Sequence, residues 1–518
     1  MGIDGEEPVN TSKRILWIAQ VLALAGMAAA AQAPAPVADP DAATKAQVKK
    51  LMKEAKYAEA LPLIEAELKR EKPALDWAVD RVDALLGLFR YPEAVQAAMA
   101  GMSKYPQEPV FRYRAGVAAS HMGNMGQAVQ FWTPLFACPD EEWAGVAYRS
   151  AAVALLAMGR EKDAGTLLHE SLLKLKAPPE VLLRFALGQE HDPVRAREIL
   201  GRLIAADPLS GPEYEGLKRL YASVGAGGLF EEGPPKEVPT VLPLKERSDF
   251  KVGVRSESRV VLPVSLNGAK PRYMLVDSGS EVVLITHVAA RALDLKPVTS
   301  AQYIGLGIKG VRPSAWVILE TLQVGDFTLK NVPAMLMDED TDYWKEMGGI
   351  IPLSLFRRHA VLFDRRHGKL ALYPTGTRYE EVMPAGAFAA KSLWFRGKPF
   401  VEVGIQAAPK GFALLDTGST TTIIAAQMAP LTGVRPNTGK YQGQYASGLS
   451  GGLTTGVAEK VSMTLGTFRI EMPTAMVNEL GGGAEIDVHA LLGRDLLDNF
   501  QMFFDYYGNV IAFKAYDK

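Results

Sequence analysis

The stretch Phe412-Ala413-Leu414-Leu415-Asp416-Thr417-Gly418-Ser419 repeats an earlier one, Tyr273-Met274-Leu275-Val276-Asp277-Ser278-Gly279-Ser280. In both, an apolar run delivers a carboxylate to a Ser/Thr-Gly turn. A second apolar, β-branched run then leads away: Val282-Val283-Leu284-Ile285 in the first copy, Thr422-Ile423-Ile424 in the second. Such runs on either side of a turn read as strands. One tetrapeptide of this kind arises often by chance, but two in matching contexts suggest a pair of carboxylates brought face to face.

The duplication extends well beyond the turns. Asp277 and Asp416 stand 139 residues apart, Gly325 and Gly466 141, Pro333 and Pro473 140. Val361-Leu362-Phe363-Asp364 returns as Met502-Phe503-Phe504-Asp505, and Gly368-Lys369-Leu370-Ala371-Leu372-Tyr373 as Gly508-Asn509-Val510-Ile511-Ala512-Phe513. Offsets kept over so long a stretch predict two similar β lobes, 248–378 and 379–518, related by a pseudo-twofold axis.

A different period governs the first half. From Ala42 to Val224 apolar residues recur at helical spacing, and Ala60, Ala94, Ala128 and Ala164 fall in similar Tyr/Met/Glu-x-x-Ala contexts. A degenerate fifth unit fits Pro193-Val194-Arg195-Ala196. Steps of 34, 34 and 36 residues match the tetratricopeptide repeat, and 42–224 resembles a solenoid of that type. Gly87, Gly123 and Gly159 suit the turn inside each unit. Such an array either presents a surface to a peptide or protein partner or serves as a spacer and packing partner. Between the halves, Gly- and Pro-rich 225–247 reads as a linker.

At 518 residues the chain accommodates several domains. Its 57 Lys+Arg against 58 Asp+Glu give no basic surface for nucleic acid. Cys138 is the only cysteine, so an intrachain disulfide and a cysteine-based metal cluster are excluded. The seven histidines show no metal-ligand spacing, and neither metal nor cofactor is expected. Lys13-Arg14, the apolar Ile15–Ala30 and small residues at Ala29, Ala31 and Ala33 have the order of a secretory signal peptide over residues 1–33. An uncleaved membrane anchor is the alternative. Either implies an exported protein, periplasmic or extracellular.

The paired motifs carry a family resemblance. Each lobe resembles a retropepsin-type aspartic protease subunit, and the fused pair resembles a single-chain, pepsin-like bilobal enzyme. The family's second element, two apolar residues and Gly, is present in lobe 2 as Leu491-Leu492-Gly493, followed by Arg494-Asp495-Leu496-Leu497. Lobe 1 departs from it with Ile350-Ile351-Pro352, which puts the support behind Asp277 in question. The resemblance implies a multidomain chain: an all-α tetratricopeptide-type solenoid, then an all-β bilobal aspartic-protease fold whose lobes pair within one chain.

It further implies an Asp277/Asp416 dyad that hydrolyses peptide bonds. Two adjacent carboxylates share one proton, so one activates water while the other polarises the carbonyl. Gly279 and Gly418 permit the sharp turns. Ser278 and Thr417 are placed for hydroxyl hydrogen bonds that lock the two turns together, and Ser280 and Ser419 for bonds to the outer oxygen of their Asp. Glycine-rich flaps over the cleft are expected around Tyr303, Gly305 and Gly307 in lobe 1, and around Gly448 and Gly451 in lobe 2. The alternative to an endopeptidase acting on peptide or protein substrate is a peptide-binding scaffold that keeps the fold without the activity.

Overall fold

The computed structural model describes residues 42–158 and 230–517. Exceptions are 233–238, 304–311, 338–343, 429–444, 447–451, 481–487 and scattered one- or two-residue positions; a few isolated residues between 160 and 222 are also described. The predicted signal segment and the fifth repeat lie outside the described residues. α1 (Ala42–Lys53) belongs to a unit ending at Lys56, and Tyr57 onward forms a second.

In the second unit the 34-residue period becomes helices. α2 (Tyr57–Leu68), α3 (Leu75–Gly87), α4 (Tyr91–Lys104), α5 (Pro109–His121), α6 (Met125–Trp132) and α7 (Glu141–Ala157) follow in turn. α2, α4 and α6 therefore open at the same point of successive repeats. Ala60, Ala94 and Ala128 are fully buried, because a methyl group allows the close approach of neighbouring helices. Each helix packs on the next, α3 also touches α5, and α5 touches α7, which is the stacking of a helical-repeat array. Gly87 ends α3, where a side chain would overlap the Tyr57 ring, and Gly123 turns at φ +71° after α5. Both close a unit rather than turning inside it, so the expected position of these glycines is corrected; Gly159 is not among the described residues.

The β half contains two lobes joined by a shared sheet. Among the described residues lobe 1 is built on a nine-stranded sheet, lobe 2 on a seven-stranded one, and six strands form the sheet between them. At the centre of that sheet Ala360–Asp364 runs antiparallel to Phe500–Asp505, with Val361 opposite Phe504 and Leu362 opposite Phe503. The strands matched by the sequence duplication thus pair with each other across the pseudo-twofold axis. Every residue of both strands is buried, as in a layer packed on both faces, with Leu362, Ala371, Met383, Phe503 and Ala512 clustered on one side. Asp364 ties both lobes into this layer by accepting from Gln501 Nε2 (2.7 Å) and the Tyr516 hydroxyl (2.9 Å) and pairing with His367 Nδ1 (2.8 Å). Burial pushes its carboxyl up, but these bonds outweigh burial and hold it below the ordinary value.

Two strands lie inside the stretch read as a linker. Glu231–Glu232 extends the lobe 1 sheet against Leu329–Lys330, and Thr240–Pro243 edges the shared sheet beside Lys369–Leu372. His359 Nε2 holds Glu232 Oε1 at 2.5 Å.

The helices are docked on lobe 2. The Gly123 turn rests on the Phe412 ring, and Phe89 meets His489 edge to face with centroids 6.0 Å apart. Lys391 Nζ bonds Met122 O (2.9 Å) and Glu402 (3.1 Å), while α7 packs on the strand Ser392–Phe395. Phe412 lies on the strand that leads to Asp416, so the helical array braces that strand from behind. Gly123→Ala is expected to cost about 2 kcal/mol, since it introduces both a positive-φ penalty and an overlap with a fully buried ring. Chemical denaturation read by fluorescence would check this; an unchanged midpoint would mean that the contact contributes nothing.

Candidate active site

Each aspartate is delivered by a strand buried on both faces. Arg272–Asp277 ends in the first, with Met274, Leu275 and Val276 almost wholly buried, and Gly411–Leu415 leads directly to the second. A strand from later in each lobe inserts beside them. Gly349–Pro352 runs parallel to Arg272–Asp277 and antiparallel to Val283–Thr286, and Val488–Leu492 does the same between Gly411–Leu415 and Ile423–Ala425. The strands entering and leaving each turn are thus clamped to one common neighbour. Asp416 N donates to Leu492 O at 3.0 Å.

The two turns meet face to face. The Asp277 and Asp416 carboxyls are hydrogen-bonded to one another. A Cβ on Gly279 would lie 2.7 Å from Asp416 Cγ, and one on Gly418 2.5 Å from Asp277 Cγ. Glycine is required here because each carboxyl occupies the space that a side chain on the opposite turn would fill. Gly279 N donates to Asp277 Oδ1 (2.7 Å), whereas Asp416 Oδ1 accepts from both Gly418 N and Ser419 N (2.9 Å each).

Ser278 and Thr417 interlock the lobes as anticipated. Ser278 Oγ donates to Leu415 O (2.7 Å) and accepts from Thr417 N (3.0 Å). Thr417 Oγ1 donates to Val276 O (2.9 Å) and accepts from Ser278 N (3.0 Å). All of these groups are buried, and each hydroxyl satisfies two backbone groups of the other lobe.

Ser280 and Ser419 are placed differently from the expectation. Their hydroxyls donate to Val282 O and Thr421 O at 2.9 Å, inside their own turns. A hydroxyl has one proton to give, and the nearby carbonyl takes it. The main-chain N–H of Ser419, not its side chain, reaches the carboxylate.

Burial raises the Asp277 carboxyl well above the ordinary value, and the charge of Asp416 and the bond to it add to the effect. Burial also raises Asp416, but there the bond from Asp277 and the N–H groups of Ser419 and Gly418 oppose it. Titration belongs to the pair rather than to either residue.

The departure at Pro352 has a matching change opposite. In lobe 2 the Thr422 hydroxyl accepts from Gly493 N (3.1 Å) and donates to Asp495 (2.6 Å), and any Cβ on Gly493 would overlap the Thr421 backbone. In lobe 1 Val283 stands where Thr422 stands and Ser354 where Asp495 stands. Proline has no N–H to satisfy, so the lost hydroxyl leaves no orphaned donor. Pro352 stays in register with Asp277 and caps the short helix Leu353–Phe356.

Of the flap candidates, Tyr303 ends a strand, Thr299–Tyr303, paired with Arg312–Trp316. In lobe 2, Tyr445–Ala446 pairs with Gly452–Leu453. Both are hairpin stems; Gly305, Gly307, Gly448 and Gly451 lie outside the described residues. The sequence reading also missed Arg259, buried on the strand Arg255–Leu266, whose Nη1 donates to Gly418 O. The 139-residue offset, which aligns it with Lys398, is the signal that could have found it.

The sequence profile of the aspartyl protease family matches this chain twice, over residues 262–351 and 403–496. No curated protein matches. Among solved structures the chain is similar to the aspartic proteinase from Irpex lacteus, with 13% identity, a TM-score of 0.34, and coverage of 54% of this chain and 97% of that one. With one match to the aspartyl protease family in each lobe and one aspartate turn in each match, the β half of the chain has the two-lobed fold of an aspartic protease of the pepsin and retropepsin type.

Proposed function

We propose that the protein is an exported aspartic endopeptidase in which Asp277 and Asp416 hydrolyse peptide bonds. The observation that carries this reading is the mutual contact of two half-buried carboxyls from different lobes, each seated against the other's glycine. Like charges this close cannot both ionise, so the pair holds one proton.

The uneven supply of N–H donors supports a division of roles. Asp416, with two main-chain donors, is the carboxylate and acts as base; Asp277 keeps the proton and acts as acid. Water attacks the peptide carbon and gives its proton to Asp416, while the carbonyl oxygen takes the proton of Asp277. The resulting gem-diol collapses as Asp416 protonates the departing nitrogen and Asp277 recovers a proton from a diol hydroxyl. The pair then returns to its starting state.

Export is supported by the order of Lys13-Arg14, the apolar Ile15–Ala30 and the small residues after it. To the helical repeats we assign recruitment of a peptide or protein partner, a role consistent with their fixed seat on lobe 2.

Hydrolysis of a mixed peptide library between pH 3 and 8, with and without pepstatin, tests the activity. Pepstatin-sensitive cleavage with a bell-shaped pH profile is the expected result. No cleavage at any pH by folded protein would leave a peptide-binding scaffold in place of the enzyme.

A further inference from the structure

The pseudo-twofold symmetry of the two turns breaks at one pair of positions. The 139-residue offset aligns Arg259 with Lys398 and Glu281 with Thr420. Lys398, heading the strand Lys398–Ile405 of lobe 2, reaches across to lobe 1 and bonds Glu281 Oε1 at 2.8 Å. Arg259, the equivalent residue of lobe 1, also reaches across to lobe 2, where Thr420 is the residue equivalent to Glu281. Its guanidinium instead donates to the carbonyl of Gly418, inside the Asp416 turn.

Arg259 is only 4% exposed. Burying a guanidinium is costly unless charge or hydrogen bonds offset it, and arginine does not escape by losing its proton. Nearby, Lys398 pairs with Glu281, Arg494 with Asp498 (3.1 Å), and Asp495 with Thr422. The field of Arg259 falls on both dyad carboxyls and draws each down against the effect of burial. A buried cation beside a pair of carboxyls favours the pair with one negative charge.

We propose that Arg259 is a positioning residue, which reaches over from lobe 1 to anchor the lobe 2 turn at Gly418 and supplies the fixed positive charge that keeps the Asp277/Asp416 pair singly ionised. The proposal rests on the reading of those two residues as an acid–base pair.

The test compares wild type with Arg259→Met, Arg259→Lys and Thr420→Glu. One readout is the pH dependence of kcat/KM on a peptide taken from the library. The other is ¹³C NMR titration of the aspartate carboxyls, assigned with the Asp277→Asn and Asp416→Asn variants. A positive charge lowers a carboxyl pKa, so its loss in Arg259→Met should move both limbs of the bell, and both apparent carboxyl values, upward by about one pH unit. Arg259→Lys should recover most of the shift. Thr420→Glu leaves Arg259 in place but offers it the acid that lobe 1 offers Lys398, so it should move the profile the same way. This variant carries the test if Arg259→Met does not fold.

A pH profile and titration that stay in place, whether or not kcat falls, would overturn the proposal, because they would reduce Arg259 to a structural contact. So would a lysine variant no closer to wild type than the methionine one. If no peptide is cut, the titration still reports on Arg259. Independent ionisation of Asp277 and Asp416 at ordinary carboxylate values in wild type would overturn the dyad itself, and the proposal with it.

Discussion

Asp277→Asn and Asp416→Asn are each expected to lower kcat/KM by about 10³-fold or more while leaving the protein folded. General acid and general base steps each contribute factors of this order, and an amide can neither give nor take the required proton. In the proposed reaction both residues act at once, so the loss of either should suffice.

Stability separates this outcome from simple misfolding. Both carboxyls titrate above their ordinary values, chiefly through burial. A carboxyl with a raised folded-state pKa favours the fold below the unfolded-state value, about 3.9 for Asp, and that contribution is lost as pH rises through the folded-state value. At pH 7 the pair therefore opposes folding, and asparagine relieves it. Each variant should melt at or above the wild-type temperature at pH 7, with the difference shrinking toward pH 4. Thermal unfolding at the two pH values, beside the kinetics, reads both effects. Retained activity in either variant would remove that residue from the chemistry; lost activity with a lower melting temperature at pH 7 would point to the fold instead.

Thr417→Val is expected to cost about 4 kcal/mol and most of the activity. The substitution is nearly isosteric, so the effect comes from hydrogen bonds rather than volume. It strips the Val276 carbonyl of a donor and the Ser278 N–H of an acceptor, both in the buried contact between lobes. Each buried group left without a partner costs about 1–3 kcal/mol. The same bonds set the spacing of the two turns, so the carboxyls should drift out of register. Denaturant midpoint and kcat should fall together. A variant with wild-type kcat would show that the shared sheet alone positions the dyad.

Much of this was legible in the chain. The 34-residue steps among Ala60, Ala94 and Ala128 predict where α2, α4 and α6 begin, because a helix-packing contact repeats with the units that make it. The paired Asp-Ser/Thr-Gly turns predict both the two lobes and the meeting of their carboxyls. Periodicity, turn chemistry and duplication are written in neighbouring residues, so a single sequence displays them.

Other features depended on which distant surfaces came together. Val283 looks like any strand residue until it is set at the position equivalent to Thr422, in a lobe whose Pro352 has no N–H to satisfy, and Thr422 likewise until Gly493 and Asp495 surround it. Gly123 reads as a turn glycine, but the Phe412 ring of the second lobe is what excludes a side chain there. Ser280 and Ser419 follow the motif in type, yet the nearest carbonyl takes their protons. Arg259 carries no local signal, and only the contact between lobes brings it to Gly418. The sequence by itself determined the repeats, the two lobes and the residues of the dyad. Only tertiary packing decided what holds, charges and braces them, because those partners are separated by long stretches of chain and meet only when the surfaces between them are buried.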